Sequence, residues 1–369
     1  MLNPLKHILQ VPVYKPGKPI EEVKRELGLD DIVKLASNEN PFGCSLFVKK
    51  AIEEEAININ RYPDGGGYYL KKALSRFLEI DESQIILGNG SNDVLDMIAR
   101  VFLDNDSEVL MFEHSFIVYK IVSLLQGAKI KEVPVECDFS RNLQKLIENN
   151  TPKTKVIFID NPCNPTGFAN KKEEFDEFIK NVPEDVLIVI DEAYFEYAKH
   201  HGVPDGINYI NIINPKIPQK NVVITRTFSK AYGLAGLRVG YGIAKKEIIQ
   251  LLERARQPFN VNRLAQIAAV EALKDQKFVQ YTVSENEKGK EFLYEEFEKR
   301  GIHFVPSYAN FIMFKVENAE EIYQKLLEKG VVIRPAFGLD NYLRVSIGTM
   351  EENKKFISAL DDIGFKCRL

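Results

Sequence analysis

Between about residues 66 and 255, short runs of consecutive apolar residues alternate with stretches whose apolar residues return every three to four positions. Leu70, Ala73, Leu74, Phe77 and Leu78 have helical spacing, and the run 84–87 after them reads as a strand. Ser91 is placed to cap a helix over 93–103, and 108–112 is the next strand. The alternation continues through apolar runs at 129–135, 155–160, 186–191, 221–227 and 238–244. A run with no polar alternation suits a strand covered on both sides. The pattern therefore predicts an α/β chain with a mostly parallel sheet covered by helices on both faces.

Near residue 262 the texture changes to long charged helices, followed by strand-like runs at 309–316, 331–335 and 342–347. This reads as a smaller α+β domain to which the N-terminal segment also contributes. The expected division is a large domain over 36–260 and a small one from 1–35 and 261–369. Between 198 and 219 several Gly, Pro and Asn residues mark an enlarged loop. No repeat or low-complexity tract is present.

Composition narrows the class. A chain of 369 residues that is 45% hydrophobic can bury a large core. A net charge of −4 gives no electrostatic case for nucleic acid or a membrane surface as partner. No run approaches the roughly 18 apolar residues of a membrane span, and the first ten residues lack a signal-peptide core. Cys44, Cys137, Cys163 and Cys367 show no metal-ligand spacing and read as reduced intracellular thiols. A cytoplasmic protein with no metal is the expectation.

Ligands of such sheets bind beyond the carboxyl ends of the strands, and the chemistry-bearing segments fall there. T-F-S-K-A-Y-G-L-A-G-L-R at 227–238 places Lys230 just past an apolar strand, where partial desolvation makes its amine a usable nucleophile. Thr227, Ser229 and Arg238 are donors suited to a phosphate, Arg238 bidentately. An amine that condenses with an aldehyde, beside a phosphate clamp, is what pyridoxal 5′-phosphate requires. In D-N-P-C-N-P-T-G at 160–167, two Asn-Pro pairs and a Gly impose a tight turn after a strand. D-E-A-Y at 191–194 ends another buried run, and an aspartate there is costly unless it meets a cation. A protonated pyridine nitrogen suits Asp191, and Asn164 and Tyr194 can donate to a ring oxygen. G-N-G-S-N-D at 88–93 offers a second phosphate site, with Ser91 and Asn92 at a helix start. It lacks the third glycine of a dinucleotide fingerprint.

Together, and in this order, these segments resemble the fold-type I pyridoxal-phosphate aminotransferases, and within them the histidinol-phosphate aminotransferase branch. V-Y-K-P-G-K-P at 13–19, L-A-S-N-E-N-P at 35–41, R-Y-P-D at 61–64, V-V-I-R-P at 331–335 and Y-L-R-V-S-I-G-T at 342–349 extend the likeness from about residue 11 to 360. The resemblance implies a fold-type I transferase with Lys230 as cofactor anchor and proton carrier. It implies that Phe116 stacks on the pyridine ring, and that Tyr62 reaches a phosphate oxygen in the neighbouring subunit of a homodimer. It further implies that Tyr14, Arg334 and Arg344 bind the substrate's anionic group, where each arginine could equally pair with a structural carboxylate. His114 and Cys163 carry no assigned role, a small filler being the plainer account of Cys163.

The activity so implied is transamination of L-histidinol phosphate with 2-oxoglutarate, giving imidazole acetol phosphate and L-glutamate in histidine biosynthesis. An aromatic or broad-specificity aminotransferase shares every cofactor residue. A phosphothreonine-type decarboxylase shares the fold, and a non-catalytic binding protein on this fold would lack motif residues that are present here.

Overall fold

The computed structural model describes residues 2–14, 17–210 and 220–365. After a short strand, β1 (Val33–Lys34), seven strands form the central sheet. They are β2 (Ile85–Gly88), β3 (Glu108–Phe112), β4 (Lys129–Val133), β5 (Thr154–Asp160), β6 (Leu187–Asp191), β7 (Asn221–Thr227) and β8 (Gly240–Ala244). Their order is β2-β8-β7-β6-β5-β3-β4, and only β8 runs against its neighbours. Side chains alternate across this sheet. Val156 and Phe158 of β5 face the helices Ser91–Phe102, Ile117–Leu125 and Lys246–Ala255. Ile157 and Ile159 face Tyr68–Leu78, Lys172–Asn181 and Arg263–Lys274. Both faces are buried, which is why β5 and β6 read as unbroken apolar runs.

Three boundaries differ from the sequence pattern, each for a local reason. β4 stops at Val133 because Pro134 has no amide to continue the ladder. β8 begins at Gly240, since Arg238 lies in a left-handed turn with φ 57°. Ser91 is the first residue of its helix rather than its cap; Gly90, at φ 79°, occupies the cap and supplies no side chain to the helix amides.

The second sheet is antiparallel and built from β9 (Phe304–Val305), β10 (Phe311–Lys315) and, after β11 (Val331–Val332), β12 (Arg334–Pro335) and β13 (Tyr342–Ser346), in the order β12-β13-β10-β9. β1 pairs in parallel with β11, so the N-terminal segment is stitched to this C-terminal part. The long helix Gln276–Lys299 and the helix Met350–Asp362 cover the sheet through Leu293, Phe297, Phe356 and Leu360. Thr349 and Glu352 close a capping box at the start of the last helix. One loop crosses between the sheets: Phe139, on the strand-connecting segment before β5, inserts among Val305, Met313 and Ala336. In the interval 198–219, short turns cover 199–201 and 206–209, while 211–219 lies outside the described residues.

Two glycines of β8 let the helix Ser91–Phe102 sit close to the sheet. A Cβ on Gly240 would lie 2.5 Å from the Ser91 amide nitrogen and 2.8 Å from the Arg226 carbonyl oxygen. Gly240→Ala is therefore expected to destabilise the fold by about 1–3 kcal/mol through overpacking against backbone. Calorimetric melting of the two proteins checks this, and an unchanged melt would mean that the helix can retreat at no cost.

Candidate active site

Parallel register sets the floor of the site. Asp160 of β5 is the cross-strand partner of Asp191 of β6, which in turn is the partner of Thr225 of β7. Three adjacent strands thus carry polar side chains at one level of the sheet, where β5 and β6 end and β7 runs on to Thr227. Just beyond β7, Phe228 is fully buried against Tyr232 and Tyr241 and anchors the loop that follows. Gly233, at φ 73°, bends that loop so tightly that a Cβ there would lie 1.8 Å from the Gly43 carbonyl oxygen. Lys230 is thereby aimed into a cleft whose walls come from both sheets and the N-terminal segment.

One end of the cleft gathers donors. Arg238 Nη1 lies 3.3 Å from Ser229 Oγ, and Thr227 Oγ1 lies 3.0 Å from the same oxygen. The Arg238 guanidinium also lies over Gly90, where a Cβ would be 2.5 Å from Nη2. Ser91 and Asn92 line the cleft at the start of a twelve-residue helix that no side chain caps. Helix-end amides without intrahelical partners, two hydroxyls and a guanidinium make a cup that fits a phosphate.

The deep end presents a carboxylate. Asp191 is buried, its Oδ2 accepting from Tyr119 Oη at 2.8 Å and its Oδ1 from Thr225 Oγ1 at 2.9 Å. Burial pushes its carboxyl up to about 6, with Asp160 adding to the push and the two hydroxyls opposing it. A pyridinium nitrogen would relieve that cost. Phe116 and Asn164 also line the cleft, as does Tyr194, whose hydroxyl accepts from Asn38 Nδ2 at 2.9 Å. Burial raises the Tyr194 phenol to about 12, so it stays a hydroxyl that can donate. These placements fit the ring of pyridoxal 5′-phosphate, with the cup at one end and Asp191 at the other.

Opposite the floor, the second sheet contributes cations. Arg344 is buried, donates to Asn164 Oδ1 and to the Ala36 carbonyl at 2.6 Å, and lies over the Phe311 ring. No ion pair joins it to a carboxylate among the described residues. Burial pulls even this guanidinium down to about 10. Arg334 Nη1 lies 3.1 Å from Tyr14 Oη, and both line the cleft. The structural-carboxylate account of Arg344 is thus not what the fold adopts.

Of the sequence candidates, only Tyr62 lies outside the cleft of its own chain, where it is exposed and stacked on Phe259 with centroids 4.7 Å apart. Cys163 is buried, and burial raises its thiol to about 12, consistent with an inert filler. His114 sits edge-on to Phe139 and outside the cleft lining. Cys367 falls outside the described residues. Three contributors had no sequence reading: Tyr119, Thr225 and Asn38. Asn38, at φ 54°, also accepts from Ser346 Oγ at 3.0 Å, so it fixes Tyr194 from the other sheet. An asparagine within the 35–41 segment was the only available signal, and its partner lies 156 positions away.

Burial pulls the Lys230 amine down to about 7, helped by Arg344 and Arg238 against Glu39 and Asp191. An ordinary lysine is neutral only to roughly 0.03% at pH 7, whereas Lys230 is about half neutral. Capture of pyridoxal 5′-phosphate by the apo-protein should therefore accelerate from pH 6 to 8 and then level off. A rate still climbing at pH 10 would place Lys230 in water-like surroundings.

With the site described, comparison with known proteins places the chain. The family model for aminotransferase class I and II matches residues 30–360. Histidinol-phosphate aminotransferase of Moorella thermoacetica is 44% identical over 359 residues, covering 96% of this chain and 92% of that protein. Histidinol-phosphate aminotransferase 1 of Psychrobacter arcticus is 46% identical over 96% of this chain and 94% of its own length. The crystal structure of histidinol-phosphate aminotransferase from Sinorhizobium meliloti in complex with pyridoxal 5′-phosphate superposes with a TM-score of 0.87 at 26% identity, covering 97% of this chain and 96% of that one. The fold, the Lys230 cleft and these likenesses agree: the chain belongs to the class I and II aminotransferases.

Proposed function

We infer that this protein transfers the amino group of L-histidinol phosphate to 2-oxoglutarate, giving imidazole acetol phosphate and L-glutamate in histidine biosynthesis, with pyridoxal 5′-phosphate as cofactor. The observation that carries the substrate reading is Arg344. A buried guanidinium with no carboxylate partner among the described residues, close to Arg334 and Tyr14, calls for an anion on the ligand. A phosphate ester in one half reaction and a carboxylate of glutamate in the other both meet that demand.

When bound, the cofactor supplies an aldehyde for the amine and a ring that takes up electrons as the α-carbon loses its proton. The cup of Ser91, Asn92, Thr227, Ser229 and Arg238 would hold its phosphate. Asp191 would meet the ring nitrogen, Asn164 and Tyr194 would donate to the ring oxygen, and Phe116 would cover the ring. Lys230 would anchor the cofactor through its amine, and the same amine, about half neutral near pH 7, would serve as the base. In that form it accepts the proton from the substrate's α-carbon and later returns it.

The same reading includes a homodimer with shared sites. Tyr62 and Phe259 line an open groove with Ile59, Pro63 and Leu264, and Phe47, Ile57 and Tyr69 are also exposed. A second copy seated there would bring Tyr62 to the partner's phosphate cup. We place the lobes at 36–260 and at 1–35 with 261–369, matching the two sheets, although Arg263–Lys274 packs back onto the first. Among the described residues no helix is long and apolar enough to cross a membrane. A cytoplasmic location agrees with cysteines that are all free there.

Stopped-flow absorbance of the loaded enzyme tests the substrate. L-Histidinol phosphate should convert the bound cofactor rapidly and 2-oxoglutarate should restore it. Conversion by L-phenylalanine but not by histidinol phosphate would make this an aromatic aminotransferase. Lys230→Ala should lower turnover by about a thousandfold or more, since it removes both anchor and base. Arg344→Met should raise KM for histidinol phosphate by about tenfold to a hundredfold, corresponding to loss of a charge-assisted contact.

A further inference from the structure

Two carboxylates, not one, stand at the deep end of the cleft. Asp160 and Asp191 are direct partners on neighbouring parallel strands, both are buried, and both line the cavity. Neighbouring strands lie about 4.8 Å apart, so two negative charges here would repel strongly in a poorly solvated setting. They are treated differently by their surroundings. Asp191 receives one neutral hydroxyl on each oxygen. Asp160 Oδ1 instead meets the guanidinium of Arg141, with Nη1 at 2.6 Å, and Arg141 is itself buried. Nη2 of the same arginine donates to Ser115 Oγ at 3.0 Å and to Cys163 Sγ at 2.8 Å. The remaining oxygen, Oδ2, accepts the backbone amides of Phe116 at 3.2 Å and Asn164 at 3.0 Å.

We propose that Arg141 is a positioning residue for the cofactor ring. By pairing with Asp160 it cancels the second pocket carboxylate, leaving Asp191 as the charge that meets the ring nitrogen. Through Asp160 it also fixes the backbone of the two residues that cover the ring and face its oxygen.

The support for Arg141 is built in. Its carbonyl accepts from Asn170 Nδ2 at 2.7 Å, and the Asn170 amide donates to Asn161 Oδ1 at 2.8 Å. Asn161 thereby ties the Asn-Pro turn to the arginine's own loop. Phe112 lies under the guanidinium, 5.3 Å from ring centroid to Cζ. A planar fork matched to a carboxylate, a hydroxyl and a thiol has no equivalent in lysine.

This inference rests on the assignment of Asp191 to the ring nitrogen, and the test separates the two. Pyridoxine 5′-phosphate lacks the aldehyde, so its binding reports ring and phosphate docking without Lys230. Its affinity is read by fluorescence titration of apo-protein, with calorimetric melting of each variant in parallel. Arg141→Met leaves Asp160 uncompensated, and Asp160→Asn leaves a buried cation near the pyridinium site. Each should weaken binding by about tenfold or more, and the double variant, with the pair neutral, should return to within about threefold of wild type. Arg141→Lys should fall between, keeping charge but not the fork. Wild-type affinity in Arg141→Met, or a double variant no better than the singles, would overturn the proposal. If neither single variant melts cooperatively, the double variant decides by the same threefold and tenfold marks. Failure of the wild-type protein to bind pyridoxine 5′-phosphate would instead sink the cofactor assignment itself.

Discussion

An ionised carboxylate at the end of an apolar strand has lost its water, and the cleft is organised around replacing what Asp191 has lost. Tyr119 and Thr225 supply a hydroxyl to each oxygen, one from a helix and one from the next strand. The Thr225 donor is in place because β6 and β7 run in parallel register, with Asp191 opposite Thr225. Tyr119 is held in turn by stacking on Phe158, with centroids 4.9 Å apart, and by an edge contact with Phe116. Phe116 and the Asp191 carboxylate, which both line the cleft, are therefore fixed by one tyrosine.

The opposite charge is handled by distance rather than pairing. Lys230, Arg238 and Arg344 all face the cleft, and burial joined by the two arginines' repulsion pulls the lysine down to about 7. The arginines that face the cleft thus also weaken the hold of Lys230 on its proton. Empty of anions, such a site stores electrostatic repulsion that a phosphate at one end and an anionic substrate at the other relieve.

What could be seen in the sequence followed from how local each relation is. Lys230, Ser229, Thr227 and Arg238 lie within twelve residues, and their geometry depends on a single turn, so the spacing disclosed them. Alternating runs disclosed the sheet, because burial on both faces leaves few polar residues in a strand. Tyr119 and Asn38 stayed hidden, since each matters through a partner 72 or 156 positions away. Nothing local marks either as polar machinery, a tyrosine inside an amphipathic helix looking like core. A serine before an apolar period suggests a cap, whereas Gly90, free to adopt φ 79°, takes that position and leaves Ser91 as the first helical residue.

Phe139 and Arg141 are two residues apart on one short loop, yet the first is embedded in the core of the second sheet and the second is bonded to Asp160 in the floor of the cleft. Any motion of one sheet relative to the other is thereby felt as work at the ring pocket. Thermodynamic reciprocity then applies: a substrate that draws the sheets together tightens the hold on the cofactor by the same factor that the cofactor strengthens substrate binding. For an aminotransferase, which must keep its cofactor through two successive exchanges of substrate, such coupling favours retention.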